Sequence, residues 1–268
     1  MKRLAFAGAL CLTIAACGVS TQQEVQMGQE YSAQVNQQLP IISDPELNRY
    51  INVLGDSIAT LADDRQLEWH FYIVDSPEVN AFAIPGGYVY VNRGLIARVD
   101  KMDQLAGVLG HEIGHVVKRH SVKQMEQAQK ANIGVTLACV LTKICDNQAA
   151  QAGIQVAGGA LFAKFSRDDE SEADVEGVKN VVRAGIDPHG MPEMFQKLLD
   201  ERRTQPAGVD AWFMTHPLEE DRIAQTNKII ASYDPLILQG LTQDSPNFQT
   251  FKARLAAQPP SPAAKPGN

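Results

Sequence analysis

The chain has 268 residues, of which 44% are hydrophobic and 21% charged, and its formal net charge at pH 7 is −7. This length is enough for one or two globular domains, each with its own core. An acidic chain lacks the basic face that binding to nucleic acid requires, so we expect no nucleic acid partner.

The N-terminus has the pattern of a bacterial lipoprotein signal. A basic start, Met1–Arg3, precedes an apolar stretch, Leu4–Ile14, that is too short to cross a bilayer. The run Ile14–Cys17 resembles a lipobox, which predicts cleavage after residue 16 and lipidation of the Cys17 thiol. Gly18 follows in place of an aspartate, which indicates sorting to the outer membrane. We therefore expect a periplasmic protein anchored in outer-membrane lipid; a plain secretory signal with an incidental cysteine is the alternative.

The next part of the chain predicts helices around a small sheet. Residues 17–42 are polar and rich in glutamine, which predicts a tether that has room for one helix. Asp44-Pro45 opens a helix, because proline is favoured at the first helical position. Alternating apolar residues predict strands at Glu68–Val74 and Gly87–Asn92, the second after a Pro-Gly-Gly turn.

Helical patterns dominate the rest of the chain. The predicted helices cover residues 102–122, the Gly/Ala-rich region 131–164, a segment from about 166 to 185, residues 188–202 and residues 218–232. The sequence therefore predicts a mostly helical α+β fold with a small antiparallel sheet. We divide it into a signal at 1–16, the tether at 17–42, a main domain at 43–235 and a C-terminal extension at 236–268 with a disordered Pro/Ala-rich tail.

The strongest motif in the sequence is His111-Glu112-Ile113-Gly114-His115, a His-Glu-x-x-His pattern within a predicted helix. Residues four apart lie on one face of a helix, so His111 and His115 can bind one Zn²⁺. Glu112 is placed to act on water at that metal. The helix is apolar nearly all round, which predicts burial and disfavours the alternative of two surface histidines. A metal supplies the partner that these buried polar groups need.

A zinc site with two histidines needs a third protein ligand, and the acidic segment 166–174 supplies the candidates. This segment opens a helix, with Ser166 as N-cap and carboxylates in the first turn. The residues alone do not decide whether Glu170, Glu172 or Asp174 reaches the metal, and most of these carboxylates fit an ordinary acidic helix start.

These two motifs, His-Glu-x-x-His and Ser-Arg-x-x-Glu-x-Glu-Ala-Asp, resemble those of the M48 family of zinc metallopeptidases. The resemblance extends over roughly residues 40–233 and is greatest to the periplasmic lipoprotein members. It implies a zincin-like fold in which Glu170 is the third zinc ligand and Asp174 lies beside a ligand histidine. Two further segments resemble the family's substrate-side strand and its C-terminal His-Pro motif: they are Asn80-Ala81-Phe82-Ala83, and Thr215-His216-Pro217 with Arg222.

The resemblance implies a zinc-dependent endopeptidase, with one Zn²⁺ per chain. The two histidines and Glu170 would leave one position on the metal open, and Glu112 would be the general base. His216 and Arg222 are candidates for stabilising the oxyanion, although His216 in the open position would instead give a self-inhibited state. The strand at 80–83 is suited to holding an extended peptide by β-augmentation, which favours unfolded or misassembled polypeptides as substrates.

Two other classes of function remain open from the sequence. One is a chaperone-like assembly factor for outer-membrane proteins that keeps a latent protease site. The other is a binding lipoprotein with a structural zinc, which would normally have four protein ligands and no need of Glu112.

The remaining cysteines and histidines give weaker signals. Cys139 and Cys145 would lie in an oxidising compartment, which favours a disulfide, but six residues on an unbroken helix separate them by about 9 Å. A bridge therefore requires a turn at 142–144, and two buried thiols are the alternative. His120 lies off the ligand face of a continuous helix and is predicted to be structural, and Trp212 is predicted to be an ordinary core or groove aromatic.

Overall fold

The structure is a computed structural model and describes residues 18–128, 164–217 and 220–261. The predicted signal, the lipidation site Cys17 and the predicted pair Cys139 and Cys145 lie outside these residues. So does most of the helical region predicted at 131–164.

Three strands form one sheet in the order β1-β3-β2: they are β1 (His70–Val74), β2 (Ala81–Ile84) and β3 (Tyr88–Asn92). β2 and β3 are antiparallel and are joined by a turn in which Gly86 and Gly87 have φ angles of 86° and 99°. Such left-handed angles favour glycine. β1 pairs with β3 in parallel, so the sheet is mixed rather than wholly antiparallel as predicted. The hairpin places β2 on one side of β3 and leaves the other side to β1.

Helices cover both faces of this sheet. The tyrosines of β3 pack toward α1 (Thr21–Gln38), and its valines pack into the main core with α2 (Pro45–Ala62) and α4 (Met102–Val117). Alternate residues of a strand point to opposite faces, so the Tyr-Val-Tyr-Val sequence of β3 serves both layers. The short helix α3 (Arg93–Arg98) follows β3 directly.

The helix α1 is fixed to the segments that follow α2 and α4 by a cluster of ion pairs around Glu24. Glu24 is fully buried and accepts hydrogen bonds from Arg65 at 3.1 Å and from Arg119 at 2.7 Å. Gly28 packs so closely on the Pro85 carbonyl oxygen that a Cβ would lie 2.1 Å from it. The segment predicted as a tether therefore does contain one helix, but that helix is part of the folded body.

The metal-site helix α4 ends at Val117, short of the predicted Val122. Lys118 and Arg119 form a turn, and Arg119 has a left-handed φ of 59° that no helix continues through. A new helix, α5, covers residues 120–128 at the end of this described stretch. The chain direction changes at Arg119, which decides where the side chain of His120 lies.

The second half contributes a helical layer against α4. Its helices are α6 (Arg167–Arg183), α7 (Gly190–Thr204), α8 (Asp210–Thr215), α9 (Glu220–Ile230), α10 (Pro235–Leu238) and α11 (Pro246–Ala256). α11 buries Phe248, Phe251 and Leu255 against α2, so part of the predicted C-terminal extension packs on the main body. Among the described residues, no helix combines the length and apolarity needed to cross a membrane.

Small residues bring α4 and α6 into close contact. A Cβ on Gly114 would lie 2.7 Å from the carbonyl oxygen of Ala173, and a Cβ on Gly110 would lie 2.8 Å from a methyl group of Val181. The start of α6 is capped as the sequence predicts, because the Ser166 hydroxyl accepts a hydrogen bond from the backbone N–H of Asp169. The contact places the histidines of α4 opposite the first turns of α6.

Candidate active site

Four side chains with metal-binding atoms meet where α4, α6 and the segment after α8 come together. They are His111, His115, Glu170 and His216, each at most 2% exposed, and one ligand atom from each lies within 4.8 Å of the other three. His111 and His115 face the same side of α4, as the spacing predicts. Of the three acidic candidates on α6, Glu170 is the one in this cluster.

The separations between these atoms fit a tetrahedral metal ion. Zinc bonds of about 2.0–2.1 Å place neighbouring ligand atoms roughly 3.3 Å apart in a tetrahedron. His111 Nε2 lies 3.0 Å from His115 Nε2 and 3.3 Å from His216 Nδ1. Glu170 Oε1 lies 3.3 Å from His115 Nε2 and 3.1 Å from His216 Nδ1. Imidazole nitrogen and carboxylate oxygen are ligands that zinc favours, so both the geometry and the donor set fit this ion.

The carboxylate of Glu112 lies beside this cluster without a hydrogen-bond partner among the described residues. Oε1 of Glu112 is 3.5 Å from His216 Nε2, which is also unpartnered there. Burial raises the pKa of Glu112, although the neighbouring His216 and His111 oppose this. A bound dication would favour the ionised form. Among the described residues, Glu112 is thus a buried base without a hydrogen-bond partner, and the imidazole of His216 is its charged neighbour.

The imidazole of His216 occupies the fourth corner of the site. His216 follows α8 in a non-helical conformation, as its place directly before Pro217 predicts. Its ring stacks on Trp212, with 4.6 Å between the ring centroids. Burial lowers the pKa of His216, but the carboxylates of Glu170 and Glu112 outweigh burial and raise the pKa overall. Its Nδ1 lies within the cluster of ligand atoms and its Nε2 lies 3.5 Å from Glu112 Oε1, so its position is compatible with both roles left open by the sequence.

Asp174 and Arg222 form hydrogen bonds with the candidate metal ligands on the side away from the cluster of ligand atoms. Asp174 Oδ1 lies 2.8 Å from His111 Nδ1, the contact that the family resemblance implies. Arg222 donates two hydrogen bonds to Asp174, at 2.9 and 2.7 Å, and another to Glu170, and its guanidinium lies over the Phe195 ring. This buried Arg222 therefore contacts the carboxylates of α6, and the predicted contact with an oxyanion does not follow from its position.

The sequence reasoning missed His120 as a neighbour of the site. Its Nδ1 lies 2.9 Å from His115 Nδ1, and its Nε2 lies 3.4 Å from Glu172 Oε2. Burial lowers the pKa of His120, which favours a neutral ring. The sequence analysis assumed a continuous helix, whereas the turn at Arg119 returns the chain toward His115. Phe165, also missed, stacks on His115 with centroids 4.0 Å apart.

The predicted substrate strand lies at the edge of the sheet nearest the site. Ala81, Phe82 and Ala83 belong to β2, which pairs with β3 on one side and contacts α4. The backbone carbonyl of Asn80 accepts a hydrogen bond from Asn92, and its side-chain oxygen is buried without a partner among the described residues. β2 has the position of an edge strand beside the helix that carries the base.

A His-Glu-x-x-His helix, a glutamate from a second helix and a buried glutamate beside them form the kind of site that metallopeptidases use. The chain belongs to peptidase family M48, whose family model matches residues 45–230. This match confirms the resemblance drawn from the motifs.

Several relatives carry names that describe an activity. The chain is 36% identical over 251 residues to the beta-barrel assembly-enhancing protease of Escherichia coli O157:H7, covering 90% of this chain and 50% of that protein. It is 36% identical over 221 residues to the protease of the same name from Yersinia pestis, covering 79% of this chain and 45% of that protein. It is 29% identical over 174 residues to the mitochondrial metalloendopeptidase OMA1 of Schizosaccharomyces pombe, covering 65% and 50%. The chain thus spans about half the length of these relatives.

Proposed function

We propose that this protein is a zinc-dependent endopeptidase that cleaves unfolded or misassembled polypeptides of the bacterial envelope. One observation carries the proposal: ligand atoms of His111, His115 and Glu170 stand at tetrahedral separations beside the carboxylate of Glu112, which has no hydrogen-bond partner among the described residues. A structural zinc site would not need a buried carboxylate that does not bind the metal, so this arrangement favours catalysis.

The chain's own residues divide the chemistry between them. A bound Zn²⁺ supplies Lewis acidity that acidifies water and polarises the scissile carbonyl. Glu112 takes the proton from the attacking water and passes it to the leaving amine. Asp174 and Arg222 hold His111 and Glu170 in place from behind, which keeps the ligands oriented while charge develops.

The substrate class is proposed from the edge strand and from the relatives. β2 is an edge strand of the described sheet, and pairing of an extended peptide with an edge strand depends little on side chains. A segment must be unfolded or flexible to pair in this way. The bacterial relatives are named for enhancing assembly of β-barrels. Together with the predicted lipid anchor at Cys17, these points favour envelope proteins on the periplasmic face of the outer membrane as substrates.

The position of His216 makes the resting site closed. Its Nδ1 lies at the fourth corner of the tetrahedron and its Nε2 faces Glu112, so water and substrate have no place there until the segment moves. This observation also favours the second candidate, a chaperone-like assembly factor whose protease site is latent. The endopeptidase must cleave peptide bonds to function, whereas the chaperone-like assembly factor need only bind its clients.

The experiment compares wild type with Glu112→Gln, which keeps the shape of the side chain but cannot accept the water proton. We expect full metal content in both and a loss of peptide and casein cleavage of about 10³-fold or more in the variant. Glu46→Gln, at an exposed glutamate on the first turn of α2, is the matched control and should cleave normally. The Glu112→Gln protein should also retain uncleaved substrates, which identifies them by co-purification.

Two results would contradict the proposal. Cleavage by Glu112→Gln near the wild-type rate would remove Glu112 as the base. If the variant instead suppressed aggregation of unfolded outer-membrane proteins as well as wild type, and neither protein cleaved them, the chaperone-like function would replace proteolysis.

A further inference from the structure

We infer that His120 is a positioning residue of the metal site, which holds the His115 imidazole through Nδ1 and connects it to carboxylates on α6. The inference rests on the zinc site proposed above. It adds a residue that lies outside the His-Glu-x-x-His motif and that approaches the site from another helix.

The two imidazoles face each other through the same atom. His115 directs Nε2 toward the other ligand atoms, 3.0 Å from His111 Nε2, and its Nδ1 lies 2.9 Å from His120 Nδ1. Ring nitrogens at this distance share one proton, because two N–H groups would clash and two lone pairs would repel. A histidine that binds metal through Nε2 carries its proton on Nδ1. His115 is therefore the donor and His120 the acceptor.

This assignment fixes the tautomer of His120. A neutral imidazole that accepts at Nδ1 carries its proton on Nε2. That Nε2 lies 3.4 Å from Glu172 Oε2 and 3.6 Å from Asp169 Oδ1, so it donates toward carboxylates in the first turns of α6. The result is a directed relay: His115 donates to His120, and His120 donates to the acidic start of α6.

His120 provides a hydrogen-bond acceptor for the Nδ1 of His115, as Asp174 does for the Nδ1 of His111. Asp174 contacts the Nδ1 of His111 directly at 2.8 Å, whereas the Nδ1 of His115 has the His120 imidazole, at 2.9 Å, as its neighbour among the described residues. A hydrogen bond to the outer nitrogen of a ligand histidine fixes its ring and raises its basicity. His120 supplies that bond because the left-handed Arg119 returns the chain, and burial protects the bond from water.

The test compares two substitutions of His120, one of which lacks a hydrogen-bond acceptor at the position of Nδ1 and one of which keeps it. His120→Leu fills the space but removes the acceptor, and leaves the N–H of His115 buried and unpaired. His120→Asn places an oxygen where Nδ1 was and so restores the acceptor. His70→Leu is the matched control, since His70 lies on β1 and stacks on Tyr88 away from the site.

The first measurement is the zinc dissociation constant from competition with a chelator. We expect His120→Leu to bind zinc about 10- to 100-fold more weakly, and His120→Asn to bind within about threefold of wild type. His70→Leu should be unchanged. Equal losses in the leucine and asparagine variants would give His120 a packing role only and overturn the inference, as would unchanged binding in His120→Leu.

The second measurement needs no substitution, so it decides the question even where a variant does not fold. Imidazole ¹⁵N–¹H correlation spectra of the zinc-loaded wild type should show His120 protonated on Nε2 and bare on Nδ1. A proton on His120 Nδ1 would overturn the relay. Failure of wild type to bind zinc would instead defeat the proposed function itself, so the two failures are distinguishable.

Discussion

The helix pair α4–α6 and the segment that carries His216 contribute to the same site but are built differently. α4 and α6 pack through Gly110 and Gly114 at contacts too close for a larger residue, and α6 begins with a capping box. The segment with His216 follows a six-residue helix whose Met214 is 73% exposed. Long packed helices hold their side chains rigidly, whereas short connecting segments change position at low cost.

This difference separates permanent ligands from a removable one. His111, His115 and Glu170 lie on the rigid pair, so their geometry persists whether or not substrate is present. His216 is held by stacking on Trp212 and by the ligand cluster itself. We therefore expect a closed resting state that opens by movement of this one segment.

The largest expected effect comes from Arg222, which joins the two regions by donating to Glu170, to Asp174 and to the Pro217 carbonyl oxygen. Arg222→Leu should lower the free energy of unfolding by about 3–5 kcal/mol, because it leaves buried carboxylates unpaired. Chemical denaturation measures this. Arg202 also lies over an aromatic ring, at 4.2 Å from the Phe213 centroid, but is exposed. Arg202→Leu should cost about 1 kcal/mol or less, and equal losses would refute the pairing argument.

The next effect tests the rigid pair directly. In Gly114→Ala the new methyl group would lie 2.7 Å from the Ala173 carbonyl oxygen, so the helices must separate. We expect a loss of about 1–3 kcal/mol in unfolding free energy, together with weaker zinc binding. The control is Gly240→Ala, where a Cβ meets nothing within 4 Å. A Gly114→Ala protein as stable as this control would show that the pair is looser than its contacts indicate.

The movable region is tested by His216→Ala. Removal of a blocking group should raise the rate of peptide cleavage by about tenfold if the open form makes up roughly a tenth of the wild-type population. Zinc content should be retained through the three residues on the rigid pair. Initial rates at several substrate concentrations measure the effect. A fall in rate of 100-fold or more would instead make His216 an oxyanion donor.

The smallest effect lies at the start of α4. Asp103 is fully buried with no hydrogen-bond partner among the described residues, and burial raises its pKa from 3.8 to about 6. A carboxyl whose folded pKa is raised stabilises the fold below its unfolded pKa, and this contribution is lost as the pH rises through 6. A shift of this size corresponds to about 3 kcal/mol, but Asp103→Asn also loses the attraction between the carboxylate and Lys101 Nζ at 3.6 Å, so we expect a gain of about 1 kcal/mol over wild type at pH 8 and nearly none at pH 3. Stability curves at both pH values measure the gain, and a pH-independent difference would contradict this origin.

Those parts of the molecule that depend on local sequence were predictable. Asp44 and Ser166 cap helices because a side-chain oxygen meets nearby backbone N–H groups, and this needs only residues two or three positions away. The pairing of His111 with His115 follows from the helical period alone. Glu170 was chosen among three carboxylates by family resemblance, since the residues themselves left that choice open.

Features set by distant contacts were beyond the sequence. The parallel pairing of β1 with β3 depends on how the whole sheet closes, and Arg222 finds its carboxylates only after α9 has packed. His120 illustrates the problem best. One left-handed residue, Arg119, moved it from the far side of a predicted helix to a ring contact with His115. A non-glycine residue in that conformation leaves no reliable mark in a single sequence.

The near-complete burial of the four metal-binding side chains has a consequence for exchange of the ion. With zinc bound and His216 closing the site as proposed, we expect a chelator to reach the metal only after the segment with His216 has opened. At high chelator concentration the rate of metal loss should therefore stop rising and report the opening rate itself. Inactivation by chelators would then proceed with a lag that added peptide substrate shortens, since substrate and chelator use the same open form.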